Sequence, residues 1–290
     1  MSVMLTSTYL VEQATRKLNP EEAGCVTIRP TGETMMSHGK FVWYELMTTD
    51  APAAETFYRG VTGWSAQDAG MPDMAYTILS AGDSPVAGLM TLPEAARDAG
   101  ARPGWLGYVA VDDVDASAAQ AQQDGSTVHY GPADIPGVGR IATISDPQGA
   151  VIALFKPVSM EQRPEVPGGT PGHAGWRELA ATDREAAFSF YAKLFGWTKG
   201  DGVDMGPMGL YQIFAHDGEM TGGMMTKPEA VPAPFWLYYF IVDGIDAAAS
   251  RVLEGGGKVL NGPHQVPGGS WIINCQDPQG VLFALVGPHR

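Results

Sequence analysis

The chain has 290 residues, a length that predicts two domains of ordinary size. Hydrophobic residues make up 44% of the chain and charged residues 17%, a balance that excludes an intrinsically disordered protein. The 32 acidic residues outnumber the 18 basic ones, and a formal charge of -14 repels phosphate backbones and anionic lipids. We therefore expect neither a nucleic acid nor a membrane as a partner.

Cysteine content and the amino-terminal segment indicate the compartment. The two cysteines, Cys25 and Cys275, lie in unlike contexts and form neither a disulfide framework nor a CxxC motif. Residues 1–18 lack a continuous apolar stretch, so they predict neither a secretion signal nor a transmembrane span. These features favour a cytoplasmic protein.

An internal repeat organises the chain. The matched pairs are, in chain order, Trp43 and Trp176, Asp50 and Asp183, Trp64 and Trp197, and the Asp-Pro-Gln-Gly segments at 146–149 and 277–280. The repeat predicts two similar domains, at residues 37–158 and 173–290, joined by a linker rich in Pro and Gly at 159–172. Residues 1–36 form an extension without a second copy, in which segment 6–18 fits either a short amphipathic helix or a partly ordered tail.

The predicted elements follow the same order in both copies. In the first copy, a strand at 42–49 leads into a helix at 51–61 that Asp50 caps, and Asp183 is the corresponding cap in the second copy. A second, Ala-rich helix is predicted to begin at an Asp115 cap, and Asp246 is the corresponding cap in the second copy. The other strand-like runs of the first copy are 74–80, 86–91, 107–111, 127–130, 140–145 and 151–155. Each copy is therefore interpreted as two βαβββ modules, which predicts an α+β fold.

This pattern resembles the vicinal oxygen chelate superfamily, which includes glyoxalase I, bleomycin-resistance proteins and extradiol dioxygenases. In both copies the resemblance is carried by Thr-Asp before a helix with Phe-Tyr, Gly-Trp after it, and Asp-Pro-Gln-Gly before the last strand. It covers about residues 38–157 and 173–287. The resemblance implies that paired modules form a half-open barrel whose concave sheet holds a divalent metal through His, Gln or Glu.

The positions at which the resemblance implies metal ligands carry other residue types. They fall on Trp43, Leu106 and Ala153 in the first copy and on Trp176, Leu237 and Ala284 in the second. These side chains cannot donate a lone pair to a divalent cation. We therefore predict no metal and no cofactor, although a register slip in placing the ligands would leave a metal-dependent lyase or dioxygenase open.

Carboxylates are expected on the same faces. Strand alternation places Glu45 and Met47 on the face of Trp43, and Glu178 on the face of Trp176. A buried carboxylate must be hydrogen-bonded, hydrated or raised in pKa. Glu45 and Glu178 are candidates for a general base or a polar anchor for a ligand, with a purely structural pairing as the alternative.

Aromatic side chains complete the candidate site. Trp43, Tyr76, Trp176 and Tyr211 are expected to line the cavities and to offer stacking area to planar ligands, unless they merely fill the barrels. The resulting hypothesis is a metal-independent binding protein or cofactor-free enzyme that sequesters or hydroxylates a small, largely apolar, aromatic ligand. A structural or interaction protein with filled barrels is a further alternative, and either a monomer or a homodimer is compatible with the internal pairing of two copies.

Overall fold

The computed structural model describes residues 38–71, 74–158 and 166–290. The predictions made for residues 1–36, including the helix at 6–18, and the position of Cys25 lie outside the described residues. The first half contains β1 (Phe41–Thr48), α1 (Ala51–Thr62), β2 (Ser65–Asp68), β3 (Tyr76–Ala81), β4 (Ser84–Thr91), α2 (Glu94–Asp98), β5 (Gly104–Ala110), α3 (Val114–Gln123), β6 (Thr127–Ile135), β7 (Gly139–Ser145) and β8 (Val151–Pro157).

The second half repeats this order, with a short 3-10 turn in place of one loop. It contains β9 (Ala174–Ala181), α4 (Arg184–Phe195), β10 (Thr198–Asp204), the 3-10 turn Gly206–Met208, β11 (Leu210–His216), β12 (Glu219–Thr226), β13 (Phe235–Ile241), α5 (Ile245–Glu254), β14 (Lys258–Gln265), β15 (Trp271–Gln276) and β16 (Leu282–Gly287).

Each half forms one mixed eight-stranded sheet. The strand order is β2-β3-β4-β1-β5-β8-β7-β6 in the first half and β10-β11-β12-β9-β13-β16-β15-β14 in the second. In the first sheet, β1 runs parallel to β4 and antiparallel to β5, so the opening strands of its two βαβββ modules meet at the centre of the sheet. The predicted α+β class with two modules in each copy is confirmed.

Two of the predicted helix caps are confirmed. The Asp50 carboxylate accepts a hydrogen bond from the Ala53 backbone N–H at 3.0 Å, and Asp183 caps α4 in the same way. Gly63 ends α1 with a left-handed backbone, φ 77°, which glycine adopts without a Cβ clash.

Two other predicted caps are wrong. Asp113 caps α3, because its extended backbone lets its carboxylate reach the Ala116 N–H at 3.0 Å. Asp115 already lies inside the first helical turn, so its carboxylate turns outward and pairs with Arg140. Likewise, Gly244 precedes α5 without a side-chain cap, and Asp246 lies one residue inside the helix.

The main core lies between the two halves. Residues of β1 alternate between two environments, with Tyr44 and Leu46 in this core and Trp43 and Met47 on the opposite face. Ring contacts cross the boundary between the halves, such as Tyr44 against Tyr238, with centroids 5.2 Å apart. We call the face of the first sheet that carries Trp43 and Glu45, and that of the second sheet that carries Trp176 and Glu178, the concave faces.

Buried hydrogen bonds also join the halves. The Tyr58 hydroxyl of α1 donates to the Asp277 carboxylate at 3.1 Å and accepts from the Trp105 indole at 3.0 Å. The repeat-related bonds of the second half follow the same pattern: Tyr191 donates to Asp146 at 3.0 Å, and Trp236 donates to Tyr191 at 3.1 Å. The aspartate of each Asp-Pro-Gln-Gly turn therefore bonds a tyrosine of the other half. Within the described residues, no helix is long and apolar enough to cross a membrane.

Candidate functional site

Glu45 is the polar centre of the first concave face. It lies in the middle of β1, beside Gly88 of β4 and Leu106 of β5. Its side chain accepts two hydrogen bonds, from the Tyr108 hydroxyl to Oε1 at 2.9 Å and from the Tyr76 hydroxyl to Oε2 at 3.0 Å. The residue is only 8% exposed, so these two donors replace most of its hydration.

An indole fixes the direction of one of these bonds. The Trp43 Nε1–H donates to the Tyr76 hydroxyl oxygen at 3.0 Å. Because that oxygen accepts from the indole, the hydroxyl proton of Tyr76 is directed to Glu45. The first concave face therefore contains a chain of donors, from Trp43 to Tyr76 to Glu45, with Tyr108 as a second donor.

A glycine makes room for this chain. Gly88 pairs with Glu45 across the sheet, and a Cβ added there would lie closer than 3.0 Å to both Oη and Cζ of Tyr76. The Tyr76 ring therefore occupies the space above β4 that a side chain at position 88 would take. Gly223 holds the same place beside Glu178, and Tyr211 lies over it.

The second concave face repeats the network. The Trp176 indole donates to the Tyr211 hydroxyl at 2.8 Å, and Tyr211 donates to Glu178 at 3.0 Å. Tyr239 donates to the same carboxylate at 3.3 Å. Both tyrosines bond Oε2, whereas in the first half each carboxylate oxygen receives one tyrosine.

Apolar side chains surround each carboxylate. In the first face these are the buried Leu106, Tyr108, Ile141 and Ala153 with the half-buried Val42, Trp43, Met47, Ile135 and Phe155. In the second face they are the buried Leu237, Tyr239 and Ala284 with the half-buried Trp176, Phe235, Ile272 and Val286. Each face thus offers apolar and aromatic area around one hydrogen-bonded carboxylate.

Burial determines the titration behaviour of these groups. Desolvation raises the pKa of Glu45 and of Glu178, and the hydrogen bonds from their tyrosines partly oppose that rise. Burial and the neighbouring carboxylate raise the pKa of Tyr76 and of Tyr239 above the usual value for a phenol. The tyrosines therefore stay protonated and act as donors.

The structure brings most of the predicted site residues into direct contact. Trp43, Tyr76 and Glu45 form one hydrogen-bonded chain, and Met47 lies in the apolar cluster of the same face without a polar contact in it. Trp176, Tyr211 and Glu178 form the matching chain in the second half. Their roles toward a ligand remain predictions.

The sequence analysis missed the second donor of each face. Tyr108 and Tyr239 occupy the same place in the repeat, on β5 and β13, and each bonds the glutamate of its own half. The repeat contained a signal for them, since a tyrosine is retained at both positions within otherwise apolar strands. Its meaning became visible only once strand pairing placed these strands beside β1 and β9.

The side chains of the concave faces do not fit a divalent cation. Leu106 and Ala153 are buried in the apolar cluster of the first face, and Leu237 and Ala284 in that of the second. Throughout 38–71, 74–158 and 166–290, no three His, Cys, Asp or Glu side chains are arranged so that they could hold a metal ion. In the first face a single carboxylate among tyrosines lacks the ligand set that zinc, iron or manganese requires, and in the second face β13, β16 and β15 separate Glu178 from the imidazole of His264.

Two recesses lie away from the glutamates. One, of about 500 Å³, is lined by residues of β2, β3 and the turn after β3, including Gln67 and Asp83. The other, of about 360 Å³, lies between the halves beside Gln148 and Lys193. Neither is lined by Glu45 or Glu178.

Comparison with known proteins defines the class. A model of the Glyoxalase/Bleomycin resistance protein/Dioxygenase superfamily matches residues 40–154 and again residues 171–285. The chain belongs to this superfamily and contains its domain twice.

Two similar proteins cover nearly the same span. CFP32 of Mycobacterium tuberculosis, named as a suggested glyoxylase, is 31% identical over 252 residues, which are 85% of this chain and 94% of that protein. The anthracycline biosynthesis protein DnrV of Streptomyces peucetius is 31% identical over 266 residues, or 87% of this chain and 94% of its own.

Solved structures share the fold at low sequence identity. The Mn(II)-bound glyoxalase from Novosphingobium aromaticivorans has a TM-score of 0.59 and 17% identity, covering 88% of this chain and 83% of its own. The 2,2',3-trihydroxybiphenyl 1,2-dioxygenase from Sphingomonas wittichii has a TM-score of 0.61 and 16% identity, covering 88% and 91%. At this identity the likeness concerns the fold alone.

Proposed function

We propose that this protein binds a small, largely apolar, aromatic molecule on its concave faces without a metal ion. The observation that carries the proposal is the duplicated network in which two tyrosines hold a glutamate, buried in the first half and half-buried in the second, beneath a half-buried tryptophan. A filled structural barrel needs no charged group, and burying a carboxylate lowers stability unless it is well bonded. The same arrangement is present on both faces, which favours a functional role of the carboxylate in ligand binding or chemistry over a purely structural one.

The surroundings of the carboxylates suit a planar ligand. Trp43 and Trp176 are held by their indole N–H bonds to Tyr76 and Tyr211, so their ring positions are set before a ligand arrives. Rigid aromatic surfaces bind flat apolar molecules with little loss of side-chain freedom. The similarity to a protein of anthracycline biosynthesis supports a polycyclic aromatic ligand.

The glutamates give the site a chemical function beyond apolar binding. Burial raises the pKa of Glu45 and of Glu178, which strengthens each carboxylate as a proton acceptor. A carboxylate oxygen has two acceptor sites, so a ligand hydroxyl can bond alongside the tyrosines. Each glutamate fits a polar anchor in a sequestering protein, or a general base in cofactor-free chemistry such as hydroxylation of the ligand.

Calorimetric titration with 1-naphthol tests the binding. The double variant Trp43→Ala with Trp176→Ala should weaken binding at least about tenfold, because it removes the main aromatic area of both faces. The matched control is Trp271→Ala, whose ring packs on the core side of β15 and should leave binding unchanged. Equal affinity in all three proteins, or no binding to the wild type, would overturn the proposal.

Two measurements refine the proposal. Glu45→Gln and Glu178→Gln should retain ligand binding, and loss of turnover of a bound substrate would assign the carboxylates as bases rather than anchors. Elemental analysis of the purified protein should give less than stoichiometric Zn, Fe, Mn and Ni. A stoichiometric metal would contradict the metal-free site.

We further propose a cytoplasmic protein that acts without nucleic acid or membrane, as a monomer or a homodimer. The acidic charge of -14 supports the absence of polyanionic partners. The pairing of the two halves through Tyr58 and Asp277 supports a self-sufficient monomer, because one chain already contains two packed copies of the domain. Size-exclusion chromatography with light-scattering detection measures the molar mass in solution and distinguishes a monomer from a dimer.

A further inference from the structure

The two concave faces differ at three positions that the repeat aligns. The first face carries Tyr130, Ala133 and Thr143, and the second face carries Asn261, His264 and Asn274 at positions 131 residues later. Two amides and an imidazole therefore replace a phenol, a methyl group and a hydroxyl. The second face has gained hydrogen-bonding groups that the first lacks.

Strand pairing places these groups on the same face of the sheet as Glu178, with β13 and β16 between them and β9. Asn274 of β15 pairs with Ala284 of β16, a member of the apolar cluster of the second face. Asn261 of β14 pairs with Asn274, and His264 pairs with Ile272, another member of that cluster. Cross-strand partners share a face, so all three polar residues lie on the second concave face.

Asn274 presents an acceptor with no partner in the protein. The Asn274 side chain lies near Tyr239 and partly opposes the rise in the pKa of that phenol, which donates its proton to Glu178. The Oδ1 atom of Asn274 is buried and has no hydrogen-bond partner among the described residues, which is unfavourable unless a donor fills the place.

His264 presents a second acceptor. Its Nε2 atom lies 2.9 Å from Asn261 Oδ1, an oxygen that only accepts, so Nε2 carries the proton. Burial lowers the pKa of His264, which keeps the ring neutral at physiological pH. The Nδ1 atom then bears a lone pair.

Glu178 supplies a third acceptor. Both of its tyrosines donate to Oε2, so Oε1 receives neither of them. In the first face, by contrast, Tyr76 and Tyr108 each occupy a different oxygen of Glu45. The second face thus combines Oε1 of Glu178, Oδ1 of Asn274 and Nδ1 of His264, all acceptors.

We infer that the second concave face recognises more hydroxyl groups of the ligand than the first, using Asn274 and His264 as acceptors in addition to Glu178, whereas the first face carries Thr143 and Ala133 at the two added positions. The inference rests on the proposed function and assigns different tasks to the two copies. Its ligand is an aromatic molecule that bears phenolic or enolic hydroxyl donors.

Paired titrations with 1-naphthol and 1-methoxynaphthalene test the inference, because the ether keeps the rings but cannot donate. Wild-type protein should bind the naphthol about five- to tenfold more tightly, the effect of one or two added hydrogen bonds. Asn274→Thr and His264→Ala install the residues that the first face carries and should each reduce this preference. Thr143→Ala, the matched change in the first face, should leave the ratio unaltered.

The outcomes separate the two proposals. Tight binding of both naphthalenes with equal affinity, or a preference that survives both second-face variants, overturns the division of tasks while the proposed function stands. A preference that Thr143→Ala abolishes also overturns it. Binding of neither compound by the wild type overturns the proposed function itself. Circular dichroism of each variant verifies folding, and His264→Ala provides the test if Asn274→Thr is unstable.

Discussion

Replacing Gly88 by alanine tests whether the tyrosine-glutamate network depends on an empty position in β4. The backbone of Gly88 does not adopt a positive φ, so alanine brings no conformational strain of its own. Its methyl group would lie closer than 3.0 Å to Oη and Cζ of Tyr76, a separation that real Cβ atoms essentially never show. The Tyr76 ring must therefore move away from Glu45.

The magnitude follows from the bonds that this movement breaks. Tyr76 donates to Glu45 at 3.0 Å and accepts from Trp43 at 3.0 Å, so a shift of the ring loses both bonds. A hydrogen bond to a charged partner contributes about 1.5–3 kcal/mol and a neutral one about 0.5–1.5 kcal/mol. We expect Gly88→Ala to lower the free energy of unfolding by about 2–4 kcal/mol.

Urea unfolding followed by tryptophan fluorescence measures this change. Gly104→Ala is the matched control, since Gly104 also lies in a central strand, beside Met47 of β1. The nearest atom to a Cβ at Gly104 is 3.9 Å away, so this variant should change stability by less than about 1 kcal/mol. Equal effects of the two alanines would refute the steric explanation.

A double-mutant cycle with Tyr76→Ala assigns the effect to the ring. When Tyr76 is absent, the methyl group at position 88 has nothing to displace, so Gly88→Ala should then lose most of its effect. The expected interaction energy is about 2 kcal/mol or more, well above the additivity error of distant sites. Simple additivity of the two substitutions would show that the methyl group acts elsewhere.

Three further predictions concern titration, the joint between the halves and a helix cap. Burial raises the pKa of Glu45 above its ordinary value of 4.5, so the contribution of Glu45 to stability is greatest below that value and is lost as the pH rises through the folded-state pKa. Glu45→Gln cannot ionise and lacks this loss. The free energy of unfolding of the wild type, minus that of Glu45→Gln, should therefore decrease between about pH 4 and about pH 8. A difference that stays constant with pH would contradict the raised pKa. Tyr58→Phe removes the donor to buried Asp277 and should lower the unfolding free energy in urea by about 1–3 kcal/mol, whereas no loss would mean that the bond between the halves is dispensable. Asp113→Ala should lower it by about 1 kcal/mol and Asp115→Ala by less, since only Asp113 caps α3, and the reverse order in urea unfolding would reinstate Asp115 as the cap.

Local patterns in the sequence predicted several parts of the site. Alternation along β1 and β9 placed Glu45 with Trp43, and Glu178 with Trp176, on one face of each strand, because side-chain direction in a strand depends only on position along it. The same local rules identified Asp50 as a cap. They misplaced the cap of α3 at Asp115, since two aspartates two residues apart give the same local signal and the helix start decides between them.

The sequence by itself determined the repeat, the order of strands and helices apart from the short β2 and α2, and the carboxylate in the middle of each opening strand. Only the tertiary structure decided which groups meet those carboxylates. Tyr108 lies 63 residues from Glu45, and Tyr58 lies 219 residues from Asp277. Such contacts depend on strand register and on how the halves pack, which no short window of sequence contains. For the same reason the unpartnered oxygen of Asn274 emerged only when β15 was placed beside β16.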